Sequence, residues 1–345
     1  QQAGDQFFIS IIGFLITGVG LPLLGIISVA RNGGDLQLLA GRVHPWFGII
    51  FTTIIYLSIG PFFAMPRTGA VSYEIGVLPF LTSAQAESWV PLFLTTLVFF
   101  VITFYLAYNP TNIVDKIGKL LTPALLLVIV LLAVKAFVTP MGDFGEATGN
   151  YIENGFAEGF IQGYLTLDVL ASLVFGIVIV QGLRARGVED KKQQVKITIF
   201  SGIVAALGLA FVYVSLGYIG ATSTDAVGVL PNGGQILGAS AKVLYGSIGT
   251  AILSATIILA CLTTAIGLLV ANAQFFERNL PILSYRGYLI VFTLFSFGVS
   301  NVGLSTLLDM TIPVLLAIYP IAIVLMTVAL FAGVFNHARI IYVLP

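Results

Sequence analysis

"GYLTLDVLASLVFG", residues 163–176, places one carboxylate, Asp168, in a stretch that is otherwise apolar or small. Asp168 is the ninth residue of an apolar segment over 160–183, so at about 1.5 Å per residue it lies roughly 12 Å into a hydrocarbon core about 30 Å thick. Inserting a carboxylate at that depth costs about 2.5 to 3.5 kcal/mol, so such an acid normally faces a cavity, an ion or a partner. The alternative is a protonated Asp168 that donates a structural hydrogen bond to a neighbouring helix.

The composition of the whole chain is that of an integral membrane protein. Of its 345 residues 58% are hydrophobic and 9% are charged, and the mean hydropathy is +1.04. The apolar runs are long and lack the period-two polarity of barrel strands, so we expect an all-α bundle whose helices each cross the membrane in about 20 residues. We predict one transmembrane domain over 1–345 with nine spans, the seventh preceded by a short helix over 235–245: 6–30, 44–66, 90–108, 114–138, 160–183, 195–221, 249–276, 286–306 and 311–333.

The basic residues predict the orientation of these spans. When the spans alternate, twelve of the fifteen Lys and Arg residues fall on one side of the membrane, and the other three are Arg67, Lys135 and Lys242. Because cytoplasmic loops retain positive charge, we expect the first span to enter from outside. The chain begins with Gln and ends with "RIIYVLP" (339–345), which looks like the start of another apolar run, so we expect a fragment.

Several classes of chemistry are disfavoured by what the chain contains. The single cysteine, Cys261, allows no disulfide within the chain, and His44 and His337 are too far apart for metal-ligand spacing. No HExxH signature occurs, and "MGDFG" (141–145) falls in a predicted loop, which argues against an intramembrane enzyme. No TVGYG-like filter segment is present, which argues against a channel.

Small and hydroxyl residues surround Asp168. Gly163, Thr166, Ser172 and Gly176 give the segment backbone freedom and polar side chains, so the span is able to break. A discontinuous helix exposes N–H and C=O groups that lipid forbids but a polar cavity tolerates. The alternative is that these residues pack unbroken helices closely together.

A second polar stretch is "ACLTTAIG", residues 260–267, which places Thr263 and Thr264 side by side in an otherwise apolar helix. Hard cations prefer oxygen ligands, so the two hydroxyls, with carbonyls freed at a broken helix, suit sodium. The alternative is that each threonine bonds a carbonyl of its own helix.

A third stretch is "GPFFAMPRTGAVSYE", residues 60–74, where two prolines disturb the helix before Arg67. Arg67 and Glu74 are seven residues apart and share one helical face if the helix continues. Arg67 is either an interfacial residue that extends its charge to water or an extracellular gate residue, with Asp309 as its candidate partner.

At these stretches the sequence resembles the bacterial branched-chain amino acid:cation symporter family of the BrnQ type. The resemblance is carried by "GYLTLDVLASLVFGIVI" (163–179), "PFFAMPRTGAVSYE" (61–74) and the opening "DQFFISIIGFLITGVGLPLLGIISVAR" (5–31), which occur in family order. It implies the inverted-repeat, leucine-transporter-like fold of the amino acid/polyamine/organocation superfamily. The nine spans then correspond to helices two to ten, with 160–183 as the broken sixth helix and 249–276 as the eighth. The family's first helix and its last helices are missing from this sequence.

The resemblance also implies a function, namely secondary active import of leucine, isoleucine or valine with sodium across the bacterial cytoplasmic (inner) membrane. No enzyme activity, nucleic-acid partner or cofactor is implied apart from sodium as the coupling ion. A helix N-terminus or an ion would hold the substrate carboxylate, carbonyl groups would hold its ammonium, and an apolar pocket would hold its side chain. We expect sodium at Thr263 and Thr264, and substrate contacts from the following residues: Gly163, Tyr164, Leu165, Thr166, Leu167, Asp168, Ser172, Phe175 and Gly176.

The alternatives that remain open are a proton-coupled carrier of another amino acid or small solute, a channel, and an intramembrane enzyme.

Overall fold

The computed structural model describes residues 1–32, 34–108 and 112–331, and these ranges contain helices and no strand. The end of the last predicted span, 332–333, and the terminal run 339–345 lie outside the described residues. Short 3-10 and π segments join several of the α-helices. The α-helices are α1 Phe7–Leu15, α2 Leu21–Arg31, α3 Leu36–Ala40, α4 Pro45–Leu57, α5 Ala64–Gly76, α6 Ser83–Ala86, α7 Trp89–Tyr108, α8 Asn112–Val138, α9 Tyr151–Tyr164, α10 Asp168–Ala185, α11 Lys191–Ala221, α12 Thr224–Val227, α13 Gly233–Asn279, α14 Tyr285–Ser300 and α15 Leu304–Phe331.

The chain is a multi-pass membrane protein. Seven helical stretches in the described part are long and apolar enough to cross a bilayer: Gly4–Arg31, Pro45–Phe80, Trp89–Tyr108, Tyr151–Gly176, Lys191–Ala221, Gly233–Asn279 and Leu304–Leu330. The predicted spans 114–138 and 286–306 correspond to α8 and α14. The described apolar part of α8, Thr122–Val138, and the 16 residues of α14 are shorter than the other seven, so their crossings stay predictions.

The second predicted span, 44–66, contains a break, and the helix that follows the break continues beyond residue 66. A π segment, Ser58–Phe62, contains a non-helical residue, Gly60 (φ −94°, ψ −121°), followed by Pro61. Proline lacks a backbone N–H and its ring collides with the preceding turn, so the helix breaks here. It then resumes as α5 and continues to Gly76. Arg67 and Glu74 therefore lie within one helix, which is the condition under which the sequence places them on one helical face.

Helix α13 bends at Gly246, directly after the stretch 235–245 in which a separate short helix is predicted. Gly246 has φ 62° and ψ −157°, a left-handed conformation that favours glycine. The stretch before the bend is capped by Asn232, whose side chain accepts a hydrogen bond from the backbone N–H of Gln235 at 3.0 Å. This cap satisfies one of the unpaired N–H groups at the helix start.

The chain forms two compact units. The first unit comprises Gln1–Phe7, Leu57–Ile152 and Val214–Met310, and the second unit comprises Phe8–Tyr56, Glu153–Tyr213 and the described part of Thr311–Pro345. In the first unit α5 and α8 pack against α13. The core of that unit is an apolar cluster formed by Ile75, Leu132, Ala136, Ile219, Ala241 and Leu253.

In the second unit glycines bring the backbones of α1 and α9 into direct contact. A Cβ atom added at Gly159 would lie 2.0 Å from the Ser10 carbonyl oxygen, and one at Gly13 would lie 2.3 Å from the Phe156 oxygen. At Gly163 the added atom would lie 1.9 Å from Thr17 Oγ1. Small residues spaced four apart, such as Gly159 and Gly163, are typical of tight helix pairs in membranes.

We expect Gly159→Ala to lower the melting temperature of the detergent-purified protein. The added methyl group meets the backbone of α1, which cannot rotate away, so the cost is at least that of overpacking, about 1–3 kcal/mol. Gly208→Ala on α11 is the matched control because, beyond the neighbouring residues and backbone of its own helix, no atom lies within 4 Å of the added Cβ. Heating followed by size-exclusion chromatography measures both, and equal melting temperatures would show that the α1–α9 contact is not tight.

Candidate functional site

The crossing Tyr151–Gly176 is interrupted inside the second unit. Helix α9 ends at Tyr164 and α10 begins at Asp168, so three residues between them are not α-helical. The last of the three, Leu167, is buried and has φ 63° and ψ 6°, and it is the one non-glycine residue with positive φ in the described part of the chain. A left-handed leucine costs about 1–2 kcal/mol, which the surrounding packing must offset. The interruption predicted from the sequence is therefore present, and it is strained.

Thr166 satisfies polar groups on both sides of the interruption. Its Oγ1 donates to the Gly163 carbonyl oxygen of α9 at 2.9 Å. Thr166 Oγ1 also accepts from the backbone N–H of Asp168, the first residue of α10, at 3.3 Å. Thr166 thus acts as a local cap for two helix ends, which explains why the break is compact.

The last carbonyl of α9 is held by α15. Tyr319 is fully buried, and its Oη donates to the Tyr164 carbonyl oxygen at 2.8 Å, while the two rings lie 4.1 Å apart between centroids. The backbone N–H of Leu167 donates to the same carbonyl at 3.1 Å. Tyr319 was not predicted as a site residue.

Asp168 lies at the start of a helix rather than in the middle of one. Its side chain is half-buried, and Oδ2 accepts a hydrogen bond from Tyr213 Oη on α11. The Tyr213 ring in turn packs edge-on against Phe14 of α1, with 5.0 Å between centroids. A carboxylate in the first turn of a helix is favoured by the helix dipole. The Tyr213 contact was missed because a lone tyrosine in an apolar helix does not reveal which residue its hydroxyl bonds.

Two of the predicted substrate residues, and Gly163 described above, pack against the first helical crossing. Ser172 Oγ donates to the Val169 carbonyl oxygen at 2.7 Å and lies 2.2 Å from where a Cβ of Gly25 would be. A Cβ at Gly176 would lie 2.5 Å from Val29 Cγ1. The sequence left open close packing by small residues as an alternative to a broken helix. The structure has both, because these small residues pack closely and the helix is interrupted. A substrate contact at Gly163, Ser172 or Gly176 stays a prediction.

The remaining predicted substrate residues differ in exposure. Tyr164 and Leu167 are buried, at 8% and 3% exposed, and Leu165 and Phe175 are half-buried. The two half-buried side chains are the apolar groups of this set that retain accessible surface.

Thr263 and Thr264 belong to the first unit, where both lie on α13. Thr263 Oγ1 donates to the Ala260 carbonyl oxygen at 3.0 Å, and Thr264 Oγ1 donates to the same oxygen at 2.8 Å. Three neutral oxygens therefore converge on one helical turn. Each hydroxyl bonds a carbonyl of its own helix, which is the alternative to a sodium site that the sequence left open. The three oxygens are also of the type that a hard monovalent cation accepts as ligands. Among the described residues no three His, Cys, Asp or Glu side chains could hold a metal ion together.

The two predicted gate residues also lie in the first unit. Arg67 is half-buried on α5, and Asp309 is exposed on α15. Their pairing as a gate stays a prediction.

A buried carboxylate that is not among the predicted site residues lies on α5. Glu74 is 9% exposed, and its Oε2 accepts from Gln235 Nε2 at 2.9 Å while Oε1 accepts from Asn232 Nδ2 at 3.4 Å. The Asn232 amide also donates to Ser305 Oγ at 3.2 Å. These contacts tie α5, the start of α13 and the start of α15 together. The one feature of the sequence that indicates a helical position for Glu74 is its spacing of seven residues from Arg67.

We expect Glu74→Ala to loosen the stretch 233–245. Removing the carboxylate takes away the acceptor of the Gln235 amide and one of the two acceptors of the Asn232 amide, and an unsatisfied buried group costs about 1–3 kcal/mol. Hydrogen exchange measured by mass spectrometry should show faster exchange of the amides in 233–245. Glu87→Ala, which removes an exposed carboxylate, is the control. Indistinguishable exchange in the two variants would contradict a stabilising role for Glu74.

The chain is similar to known transporters throughout its length. It matches the family described as "Branched-chain amino acid transport protein" over residues 1–345. It is 47% identical to the branched-chain amino acid permease BraB of Bacillus subtilis (strain 168) over 343 residues, which are 99% of this chain and 77% of that protein. It is 42% identical to the branched-chain amino acid transport system 2 carrier protein of Pseudomonas aeruginosa, again over 99% of this chain and 77% of the relative.

Two solved structures show the same fold. One is MhsT, crystallised in complex with L-phenylalanine, with a TM-score of 0.66, 15% identity, and coverage of 96% of this chain and 83% of that chain. The other is Mhp1, a nucleobase-cation-symport-1 family transporter in a closed conformation with bromovinylhydantoin bound, with a TM-score of 0.63, 17% identity, and coverage of 96% and 74%. The leucine-transporter-like, all-α fold predicted from the sequence is confirmed. The matched proteins are named as transporters, permeases and carriers, in agreement with the prediction that the chain is not an enzyme.

Proposed function

Because the chain belongs to the branched-chain amino acid transport protein family, we propose that it is a secondary active carrier that imports leucine, isoleucine or valine with sodium across the bacterial cytoplasmic membrane. The relatives named above support the substrate class, since they are permeases and carriers of branched-chain amino acids. The structural observation that carries the proposal is the interruption of a membrane crossing between Tyr164 and Asp168.

An interrupted crossing suits a carrier because irregular backbone is tolerated at membrane depth only where it is buried in protein or lines a cavity. Broken helices are where transporters of several folds bind substrate, since the helix ends offer oriented polar groups. In this proposal the residues from Gly163 to Asp168 bind the polar end of the amino acid. Leu165 and Phe175, both half-buried, contribute to the apolar contact with its branched side chain.

Sodium coupling is supported by the three oxygens on α13. The Ala260 carbonyl and the hydroxyls of Thr263 and Thr264 supply neutral oxygen ligands within one helical turn. In this proposal the remaining ligands of the sodium ion come from outside that turn. Coupling then requires that bound sodium raise the affinity for the amino acid, and by linkage bound amino acid raises the affinity for sodium by the same factor.

The test of the function is uptake of radiolabelled leucine by the full-length gene product in proteoliposomes. We expect saturable uptake that requires an inward sodium gradient and is inhibited by isoleucine and valine. Uptake driven by a proton gradient alone would reassign the coupling ion to protons and leave the substrate class intact. Large uncoupled currents would indicate a pore, and the absence of leucine uptake under either gradient would overturn the proposal.

We expect Asp168→Asn to reduce sodium-driven leucine uptake about tenfold or more, because a neutral amide cannot replace the charged group beside the interruption. Membrane abundance should be unchanged, since asparagine has the same size and keeps one oxygen acceptor. Asp143→Asn, which alters an exposed carboxylate, is the control. Normal uptake by Asp168→Asn would remove Asp168 from the site.

We expect Thr263→Ala combined with Thr264→Ala to raise the sodium concentration for half-maximal uptake by about tenfold or more, because two oxygen ligands are lost. Thr256→Ala is the matched control, since Thr256 is buried on the same helix and likewise bonds a carbonyl of its own helix, that of Ile252, at 2.7 Å. The quantity to measure is the sodium titration of initial uptake rates at fixed leucine. If the double variant and the control titrate alike, the two threonines do not bind the coupling ion.

A further inference from the structure

We infer that Tyr213 is a positioning residue that holds the Asp168 carboxylate where it binds the ammonium group of the amino acid substrate. This inference rests on the proposed function and deepens it, because it assigns one group of the substrate to one side chain. It is carried by three observations in the second unit: the anchoring of Tyr213, the carboxyl side chain at the start of α10, and the bonding of the carbonyls that end α9.

Tyr213 is itself held in place. Its Oη donates to Asp168 Oδ2, and its ring is packed edge-on against Phe14, at 5.0 Å between centroids and 73° between planes. The backbone beside the Phe14 ring is tied to α9, because Thr17 Oγ1, which lies 3.2 Å from the Phe14 carbonyl oxygen, donates its one hydrogen most closely to the Phe160 carbonyl at 2.8 Å. A hydrogen bond from a phenol to a carboxylate is charge-assisted and directional, so it fixes the rotation of the carboxylate.

The start of α10 is occupied by a carboxyl side chain. An unoccupied helix N-terminus attracts a carboxylate, which is why a helix start, as well as an ion, was expected to hold the substrate carboxylate. Asp168 is the first residue of α10, and its backbone N–H is already bonded to Thr166 Oγ1 at 3.3 Å. In this proposal Asp168 is ionised, so a substrate carboxylate would meet a like charge here in a medium of low dielectric constant, whereas an ammonium group would be attracted.

The carbonyls that end α9 are less suited to the ammonium than the sequence predicted. A carbonyl oxygen has two lone pairs. The Tyr164 oxygen accepts from Tyr319 Oη at 2.8 Å and from the Leu167 N–H at 3.1 Å. The Gly163 oxygen accepts from Thr166 Oγ1 at 2.9 Å and from the Thr166 N–H at 3.4 Å. Two donors therefore already engage each oxygen, and the charged acceptor beside the interruption is Asp168.

The experiment compares Tyr213→Phe, Asp168→Asn and the double variant of the full-length gene product in proteoliposomes. Leucine uptake is measured alone and with two competitors: 3-methylbutylamine, which has the ammonium and no carboxylate, and 4-methylpentanoate, which has the carboxylate and no ammonium. For Tyr213→Phe we expect the KM for leucine to rise about tenfold, because the variant loses one hydrogen bond to a charged group. The maximal rate and the membrane abundance should stay within about twofold of the unmodified protein. Inhibition by the amine should weaken by a similar factor, and inhibition by the acid should not change.

The double variant should be no more impaired than Asp168→Asn alone, because Tyr213 acts through Asp168 and the two effects are then not additive. Tyr218→Phe is the matched control, since Tyr218 is also on α11 but its ring stacks on Phe137, at 4.2 Å between centroids, in the first unit. It should leave KM and both inhibitions unchanged.

The outcomes separate this inference from the proposed function. If Asp168→Asn abolishes uptake while Tyr213→Phe is normal, the inference is wrong and the carrier function stands. If Tyr213→Phe weakens both competitors equally, Tyr213 supports the fold only, and the inference is likewise wrong. If Asp168→Asn transports leucine normally, the ammonium is not bound at Asp168. Absence of leucine uptake by the unmodified protein would refute the function itself.

Discussion

The hydrocarbon core of a bilayer offers no hydrogen-bond partner to a peptide group, and the second unit of this protein is arranged around that constraint. Where α9 stops at Tyr164, the carbonyls of its last turn are bonded by the Thr166 side chain, by Tyr319 and by N–H groups of the interruption itself. Each bond replaces one that a continuous helix would have made, so the break persists without exposing backbone to lipid. The left-handed conformation of Leu167 is the strain that remains.

Close approach of helices makes these bonds reachable. Thr17 donates to the Phe160 carbonyl because glycines at 13, 159 and 163 let α1 and α9 touch through their backbones. In membranes such contacts are stabilised by packing and interhelical hydrogen bonds rather than by the hydrophobic effect, because lipid tails are as apolar as the side chains they replace. The glycines therefore determine which polar atoms meet.

Glu74 and Asp168 both lie in helices that cross the membrane, and neutral donors bond both of them. Glu74 accepts from two amides and ties α5 to the starts of α13 and α15, so its role in the first unit is to hold elements together. Asp168 in the second unit accepts from Tyr213 and lies at the edge of an interrupted helix, where a ligand with charge can be recognised. The surroundings, and not the residue type, separate a structural acid from a binding one.

The sequence by itself determined that the chain is a bundle of membrane helices, which family it resembles, and where three of its helices depart from regularity. Glycine and proline mark the breaks at Gly60 and Gly246, and the polar run from Thr166 to Asp168 marks the third, because each changes backbone geometry or desolvation cost locally. The convergence of the Thr263 and Thr264 hydroxyls on one carbonyl also follows from helical spacing alone. Only the tertiary structure decided that Tyr213 bonds Asp168, that Tyr319 holds the end of α9, and that Glu74 is buried in a helix. The physical reason is that a helix surrounded by lipid is apolar on every side, so its sequence carries no periodic signal of which face meets which neighbour.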